Sequence, residues 1–322
     1  VSTPLFRTLI AEDMQTVDRV IRTRLHSDVV LIRQVAEYII SAGGKRLRPV
    51  LTLLSGRALG YHGEHLHELA AMVECIHTAT LLHDDVVDES DLRRGRKTAN
   101  ALFGNAASVL VGDFLYTRAF QMMVTTRNMD ILEVMAEATN IIAEGEVLQL
   151  LNIGNTDVSE DEYLKVIQYK TAKLFEAAAR VGALIAGAPA EQVQAMADYG
   201  MYLGTAFQII DDVLDYSGDA EAIGKSLGDD LAEGKPTLPL IYTMRQGSPE
   251  ASALVREALE NASHDRFHDV LNAVQSCGAL EYAKNEAVKM AEQAIASLQN
   301  IPESETRQAL IELARLSVDR SA

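Results

Sequence analysis

Apolar residues recur every three to four positions through most of the chain, the spacing that lines one face of an α-helix. Read with start and stop signals, the pattern predicts helices near 4–23, 29–42, 47–59, 65–89, 106–125, 128–152, 159–186, 189–216, 236–246, 249–260, 265–275, 278–298 and 303–319. Pro4, Pro49, Pro189, Pro236, Pro249 and Pro302 each fall near the start of one of these segments, where a missing N–H costs least. Several segments exceed 20 residues and are apolar round most of their circumference, 131–151 for example, as expected of central helices of a bundle rather than surface ones. The expected fold is all-α. No Gly/Ser-rich or Pro-rich linker divides the chain, so a single domain over 1–322 is expected, with irregular segments at 43–49, 91–100 and 217–239.

Composition supports this picture. The 322 residues are 48% apolar and 23% charged, which argues for a folded rather than a disordered chain, and the absence of tryptophan with only seven phenylalanines argues against an all-β one. With 29 basic against 46 acidic side chains the net charge is −17, a field that repels nucleic acid and anionic lipid. A phosphate-bearing ligand must therefore meet a local basic cluster, or metal ions held by the surplus carboxylates. The two cysteines, Cys75 and Cys277, lie in apolar-periodic segments without CxxC spacing, so neither a disulfide framework nor a zinc site is expected, and a reducing, cytoplasmic location fits. The first 15 residues carry acids and no apolar run of leader length, and no window reaches 18 uncharged apolar residues, so neither export nor a membrane span is expected.

The candidate chemistry sits in two echoing stretches, LLHDDVVDESD at 81–91 and QIIDDVLDYSGD at 208–219. The first and last Asp of each DDxxD are four residues apart, so on a helix Asp84 faces the same way as Asp88, and Asp211 the same way as Asp215. Like charges so placed repel unless cations occupy the face, and Mg²⁺ bridging carboxylates to ligand phosphates is the usual occupant of an oxygen-only site. One such motif could equally be a solvated acidic helix end; two, each following an apolar run, favour metal. Basic residues come in two bursts: GGKRLRP with Lys45, Arg46 and Arg48, and RRGRK with Arg93, Arg94, Arg96 and Lys97. Either alone could be an ordinary basic loop. Beside an Asp-metal site they suit a diphosphate, and Gly43 and Gly44 permit an unusual turn or a backbone close to a ligand. His77, two helical turns before Asp84, could be a core histidine or a phosphate ligand. Lys170, Thr171, Gln208, Lys225 and Lys235 share that ambiguity singly, and together form a second polar layer around the second Asp motif.

In this order and spacing GGKRLRP, LLHDDVVDESDLRRGR, FQIIDDVLDYSGD and EGKPTLP resemble the trans-polyprenyl diphosphate synthase family, over essentially the whole chain. The stretches HTATLLHDDVVDES, FGNAASVLVGDFLYTRAFQMM and IAEGEVLQL resemble its bacterial members that build eight-unit quinone side chains. The resemblance implies a helical bundle around a central cavity and a Mg²⁺-dependent enzyme, with two to three ions, that condenses isopentenyl diphosphate onto an allylic (farnesyl) diphosphate to give octaprenyl diphosphate. It implies Asp84, Asp88 and Asp211 as metal ligands, with Asp85, Asp212 and Asp215 as further ligands or as supports behind them. Arg93, Lys170, Thr171, Gln208 and Lys225 would hold the allylic group, and Lys45, Arg48, His77 and Arg94 isopentenyl diphosphate in a metal-free pocket. A homodimer is implied, with the apolar product handed to the membrane. A class I terpene cyclase needs no second diphosphate pocket, a non-catalytic partner subunit would be expected to lose one Asp motif, and a scaffold protein would not need GGKRLRP.

Product length should be set below the first Asp motif, because a chain anchored by its diphosphate must grow into the apolar interior. Ala79 and Thr80, both small, lie about one turn deeper than Asp84 and let the chain pass. Met135 is fourteen residues before Gln149, hence on the same face and roughly 21 Å away at 1.5 Å per residue. With Phe120 or Met123 it is a candidate floor, though each of these singly could be an ordinary core residue.

Overall fold

The computed structural model describes residues 3–93, 95–217 and 227–319. They are overwhelmingly helical, as the periodicity predicts; among the described residues the sheet is confined to a hairpin of Leu92–Arg93 with Arg96–Lys97. The chain forms two compact units: one comprises Val1–Ala138, Leu174–Gly200 and Ser297–Leu313, the other Thr139–Lys173, Met201–Ala296 and Ala314–Ala322.

In the first unit the axis is the helix His65–Val87, which buries Leu66, Leu69, Met72, Val73, Ile76 and Leu82. Ala70, Ala71 and Ala79 alternate with these larger side chains, and small residues let neighbouring helices approach, so Asn105–Thr125, Leu47–Ala58 and Ala11–Arg24 all pack on it. Leu47–Ala58 is also tied to Lys173–Ile185 through buried hydroxyls: Thr52 donates to the Ala178 carbonyl at 3.0 Å and Ser55 to that of Ala179 at 2.5 Å. The single helix expected over 4–23 breaks at Ile10 (φ −114°) into Leu5–Leu9 and Ala11–Arg24, and both Phe6 and Ile10 are buried there. Asp13 fastens Ala11–Arg24 down, accepting hydrogen bonds from Arg57 and lying 2.7 Å from His67 Nε2.

The second unit has a core of Ile209, Val213, Leu238, Ile241, Val255 and Val270, with Ala279, Ala283 and Ala287 forming a fully buried stripe along the helix Ala279–Ser297. The helix expected over 159–186 is interrupted. Glu160–Ile167 runs through a π turn, Gln168–Ala172, before Lys173–Ile185 begins. Gly145 of the helix Met129–Leu151 lies directly against this turn: a Cβ there would stand 2.6 Å from the Lys170 amide nitrogen, so only glycine permits the contact.

The helix Met129–Leu151 is not buried on all sides, as its composition suggests. Val147, Leu150 and Leu151 are exposed, Leu151 to 71%, and on the helix Asn105–Thr125 Leu110 and Val124 are exposed to 67% and 60%. Periodicity reads an apolar position as covered but cannot say by what. The free thiols are Cys75, which is buried, and Cys277, which is partly so; burial pushes the Cys75 thiol up to about 12. No described helix is long and apolar enough to cross a membrane.

Candidate active site

The GGKRLRP loop turns sharply: Gly43, Gly44 and Arg46 have φ of 71°, 150° and 51° before the helix Leu47–Ala58 starts. Arg46 is the unusual member, since a side chain at positive φ is disfavoured. Its guanidinium pairs with Asp18 at 2.6 Å, so this member of the basic burst is engaged by the protein itself. Arg48, two residues on, reaches His77: Arg48 Nη1 lies 3.2 Å from His77 Nε2, and its guanidinium stacks 4.5 Å over the Phe175 ring. The structure thus brings together Arg48 and His77, which sequence reading joined only by resemblance. Lys45 is exposed. A recess beside this loop is lined by Gly43, Arg46, Glu74, His77 and Arg93, with Ile39 and Leu81 as apolar wall.

The first Asp motif forms the last turn of His65–Val87, where the Asp88 amide donates to the Asp84 carbonyl at 2.8 Å. Asp84 and Asp88 are half-buried. Asp85 is 0% exposed, and the hairpin returns Arg93 to it: Nη2 donates at 2.6 Å and Nε at 2.9 Å to Asp85 Oδ1. Burial opposes the Arg93 charge, yet Asp85, with Asp84 and Asp88 beyond it, holds the Arg93 pKa above its ordinary value. Asn100 Nδ2 donates to the Asp85 carbonyl, and Thr98 Oγ1 to that of Ser90, which locks the hairpin to the motif.

The second motif repeats the logic with other partners. Asp211 is half-buried, while Asp212 and Asp215 are buried. Asp212 Oδ2 accepts from the Tyr163 hydroxyl at 2.5 Å and Oδ1 from Gln208 Nε2 at 2.8 Å, and Gln208 Oε1 in turn accepts from Thr171 Oγ1 at 3.0 Å. Burial, then the neighbouring Asp230 carboxylate, push the Asp212 pKa well above the usual range, with Tyr163 and Gln208 pulling the other way. Asp215 accepts the amides of Gly228 and Asp230, both at 3.2 Å, and so pins the returning chain. Lys170 is paired with Glu146 at 2.8 Å and Lys235 with Glu233 at 2.5 Å. Arg94 and Lys225 lie outside the described residues. Sequence reading missed Tyr163, Glu146, Asp18 and Phe175, none of which carries a motif; each is found only through its partner.

Among the chain-length candidates Ala79, Met123 and Met135 are fully buried, and the half-buried Thr80 donates its hydroxyl to the His77 carbonyl at 2.7 Å. Phe120 is 40% exposed in the single chain. Among the described residues no three His, Cys, Asp or Glu side chains are gathered as a ready metal cage. Mg²⁺ keeps several waters and takes one or two carboxylates plus ligand phosphates rather than an all-protein shell. The donor set of the two motifs is oxygen only, as such an ion requires.

The chain matches the family described as Polyprenyl synthetase over residues 29–276. It is 55% identical over 314 residues to octaprenyl diphosphate synthase of Escherichia coli (strain K12), covering 97% of both chains. It is 46% identical over 312 residues to the all-trans-nonaprenyl-diphosphate synthase (geranyl-diphosphate specific) of Rhodobacter capsulatus, covering 97% of this chain and 96% of that one. The crystal structure of a polyprenyl synthase from Caulobacter crescentus CB15, complexed with calcium and isoprenyl diphosphate, matches with a TM-score of 0.96 and 45% identity, over 99% of this chain and 98% of that one. With its paired Asp turns and relatives that match from end to end, the chain belongs to the polyprenyl synthetase family.

Proposed function

We propose that this enzyme adds isopentenyl diphosphate head to tail onto an allylic diphosphate such as farnesyl diphosphate, to give all-trans octaprenyl diphosphate for respiratory quinone side chains. The observation that carries the two-substrate reading is the sharing of Arg93. It lies against the Asp84–Asp88 turn and also lines the recess that contains Arg46 and His77, so the proposed isopentenyl diphosphate pocket would adjoin the carboxylate face within one compact unit. A cyclase needs only one diphosphate site. The eight-unit length rests on the 55% identity to the Escherichia coli octaprenyl enzyme; the 46% identity to a nonaprenyl enzyme supports a longer product as the second reading.

Asp84, Asp88 and Asp211 are proposed to hold two to three Mg²⁺ ions, whose charge would stabilise the departing diphosphate. The protein's own part begins with binding: Lys45, Arg48, His77 and Arg94 hold isopentenyl diphosphate, and Arg93, Lys170, Thr171, Gln208 and Lys225 the allylic diphosphate, with Lys235 behind them. The allylic C–O bond breaks as Arg93 and Lys170 meet the negative charge growing on the leaving group. The alkene of isopentenyl diphosphate attacks the allylic carbon, and loss of a proton to the released pyrophosphate restores a double bond. Apolar side chains must keep water away, since it would trap the cation as an alcohol.

A homodimer is part of the proposal. Leu110, Val124, Val147 and Leu151 are apolar and exposed in the single chain, and a second copy would cover them. The proposed location is the cytoplasm. The test is pyrophosphate release with farnesyl and isopentenyl diphosphates and Mg²⁺. Release that requires both substrates and stops with chelator is expected; release from the allylic substrate alone at the same rate would favour a cyclase or hydrolase.

A further inference from the structure

The π turn Gln168–Ala172 presents Lys170 and Thr171, and a π turn is wider than an α turn, so helical register alone does not fix where those side chains emerge. Something outside the turn must fix it. Two positions on this stretch, Tyr163 and Thr171, grip two positions on the helix Ala190–Ser217, Asp212 and Gln208, which lie one turn apart. The result is a closed clamp. Tyr163 donates to Asp212 at 2.5 Å, Gln208 donates to Asp212 at 2.8 Å, and Thr171 donates to Gln208 at 3.0 Å. Tyr163 and Asp212 are both buried, so the hydroxyl is a donor that water cannot readily replace. A capping box starts the same helix, with Glu162 N donating to Ser159 Oγ at 3.2 Å and Ser159 N to Glu162 Oε2 at 2.8 Å, and it stabilises the first turn without contact to Asp212. On the far side, Gly145 lets another helix press against Lys170.

We propose that Tyr163 is a positioning residue for the allylic diphosphate: through Asp212 and Gln208 it holds the π turn so that Thr171 and Lys170 keep the geometry that receives the diphosphate. The inference rests on the functional reading above. Without the hydroxyl, Asp212 Oδ2 is left buried without this donor, the carboxylate seeks another, and the hold on Gln208 and Thr171 loosens. Removing the outer partner that orients a group at a metal site commonly costs about 10–100-fold in metal affinity or activity, and Asp212 adjoins the proposed metal ligand Asp211.

The experiment compares wild type, Tyr163→Phe and Ser159→Ala. Calorimetry reads binding of the unreactive thio analogue of farnesyl diphosphate in Mg²⁺, steady-state kinetics reads each KM, and circular dichroism checks helicity. For Tyr163→Phe the expected result is unchanged helicity, a Kd for the analogue and an allylic KM each raised about 10-fold, and an isopentenyl KM within about twofold of wild type. Ser159→Ala, which weakens the same helix without touching Asp212, should lower the melting temperature and leave both KM values alone. Tyr163→Phe with an unchanged Kd and allylic KM, or with both KM values raised equally, overturns the inference. Failure of the wild type itself to bind the analogue in Mg²⁺ overturns instead the functional reading beneath it.

Discussion

Replacing Arg93 by alanine removes every donor the hairpin brings to Asp85 and leaves a carboxylate with no solvent exposure facing three lost hydrogen bonds, at 2.6, 2.9 and 3.2 Å. Breaking a buried ion pair from one side costs about 3–5 kcal/mol, because the remaining charge stays buried. At roughly 2.1 cal/mol/K of unfolding entropy per residue over 322 residues, that corresponds to a Tm about 4–7 °C lower. Asp85→Ala should cost less, since the Arg93 side chain is 21% exposed and keeps Asp84 and Asp88 nearby. The double variant should cost well under the sum of the two, with a coupling of about 2 kcal/mol or more, measured by urea unfolding of all four proteins followed by helicity. Coupling below about 0.5 kcal/mol would show that Asp85 does not anchor Arg93, and the inward role assigned to the middle Asp of the motif would fall.

Asp84→Ala or Asp211→Ala should nearly abolish turnover while helicity survives; activity within a few-fold of wild type at saturating Mg²⁺ would remove the metal assignment. Ala79→Tyr or Thr80→Phe should shorten the longest product to three or four isoprene units, and Met135→Ala or Met123→Ala should lengthen it beyond eight, read by mass spectrometry; active blocked variants with unchanged products would show that the chain does not grow past this helix. At Asp13, burial alone would raise the carboxyl pKa, but hydrogen bonds from Arg57 and His67 outweigh it and hold the pKa below its ordinary value. Its stabilising effect is therefore complete above about pH 4 and fades as pH falls through the depressed folded value, so the urea-midpoint gap between wild type and Asp13→Asn should close in acid. A gap that stays constant from neutral pH into acid would contradict this.

The helices were legible where local signals agree. The segment expected over 249–260 is the helix Pro249–Glu260, since Pro249 opens it and Ser248 Oγ accepts from the Ala251 amide. The π turn was not, because apolar periodicity runs on through 159–186, while the wider turn lies against Gly145, a contact distant in sequence. Strands of two residues, as in the hairpin at 92–97, are too short for any period to show. Within the site, spacing pairs Asp84 with Asp88 but is silent on the middle Asp. The partner of Asp212 is Tyr163, 49 positions away, and nothing local announces it. Arg46 is equally silent in the sequence. It is one member of the GGKRLRP basic burst, and its partner is Asp18, 28 positions earlier. The exposed apolar residues of the helices Asn105–Thr125 and Met129–Leu151 show that periodicity marks a helical face without saying whether that face is covered.

The central claim is chain elongation to a fixed length, and product analysis tests it most directly. The enzyme is incubated with farnesyl diphosphate, excess isopentenyl diphosphate and Mg²⁺, and the dephosphorylated products are separated and weighed by mass spectrometry. The account predicts a ladder of all-trans prenols that ends predominantly at eight isoprene units. Cyclised or hydrolysed farnesyl products, with isopentenyl diphosphate unconsumed, would contradict it.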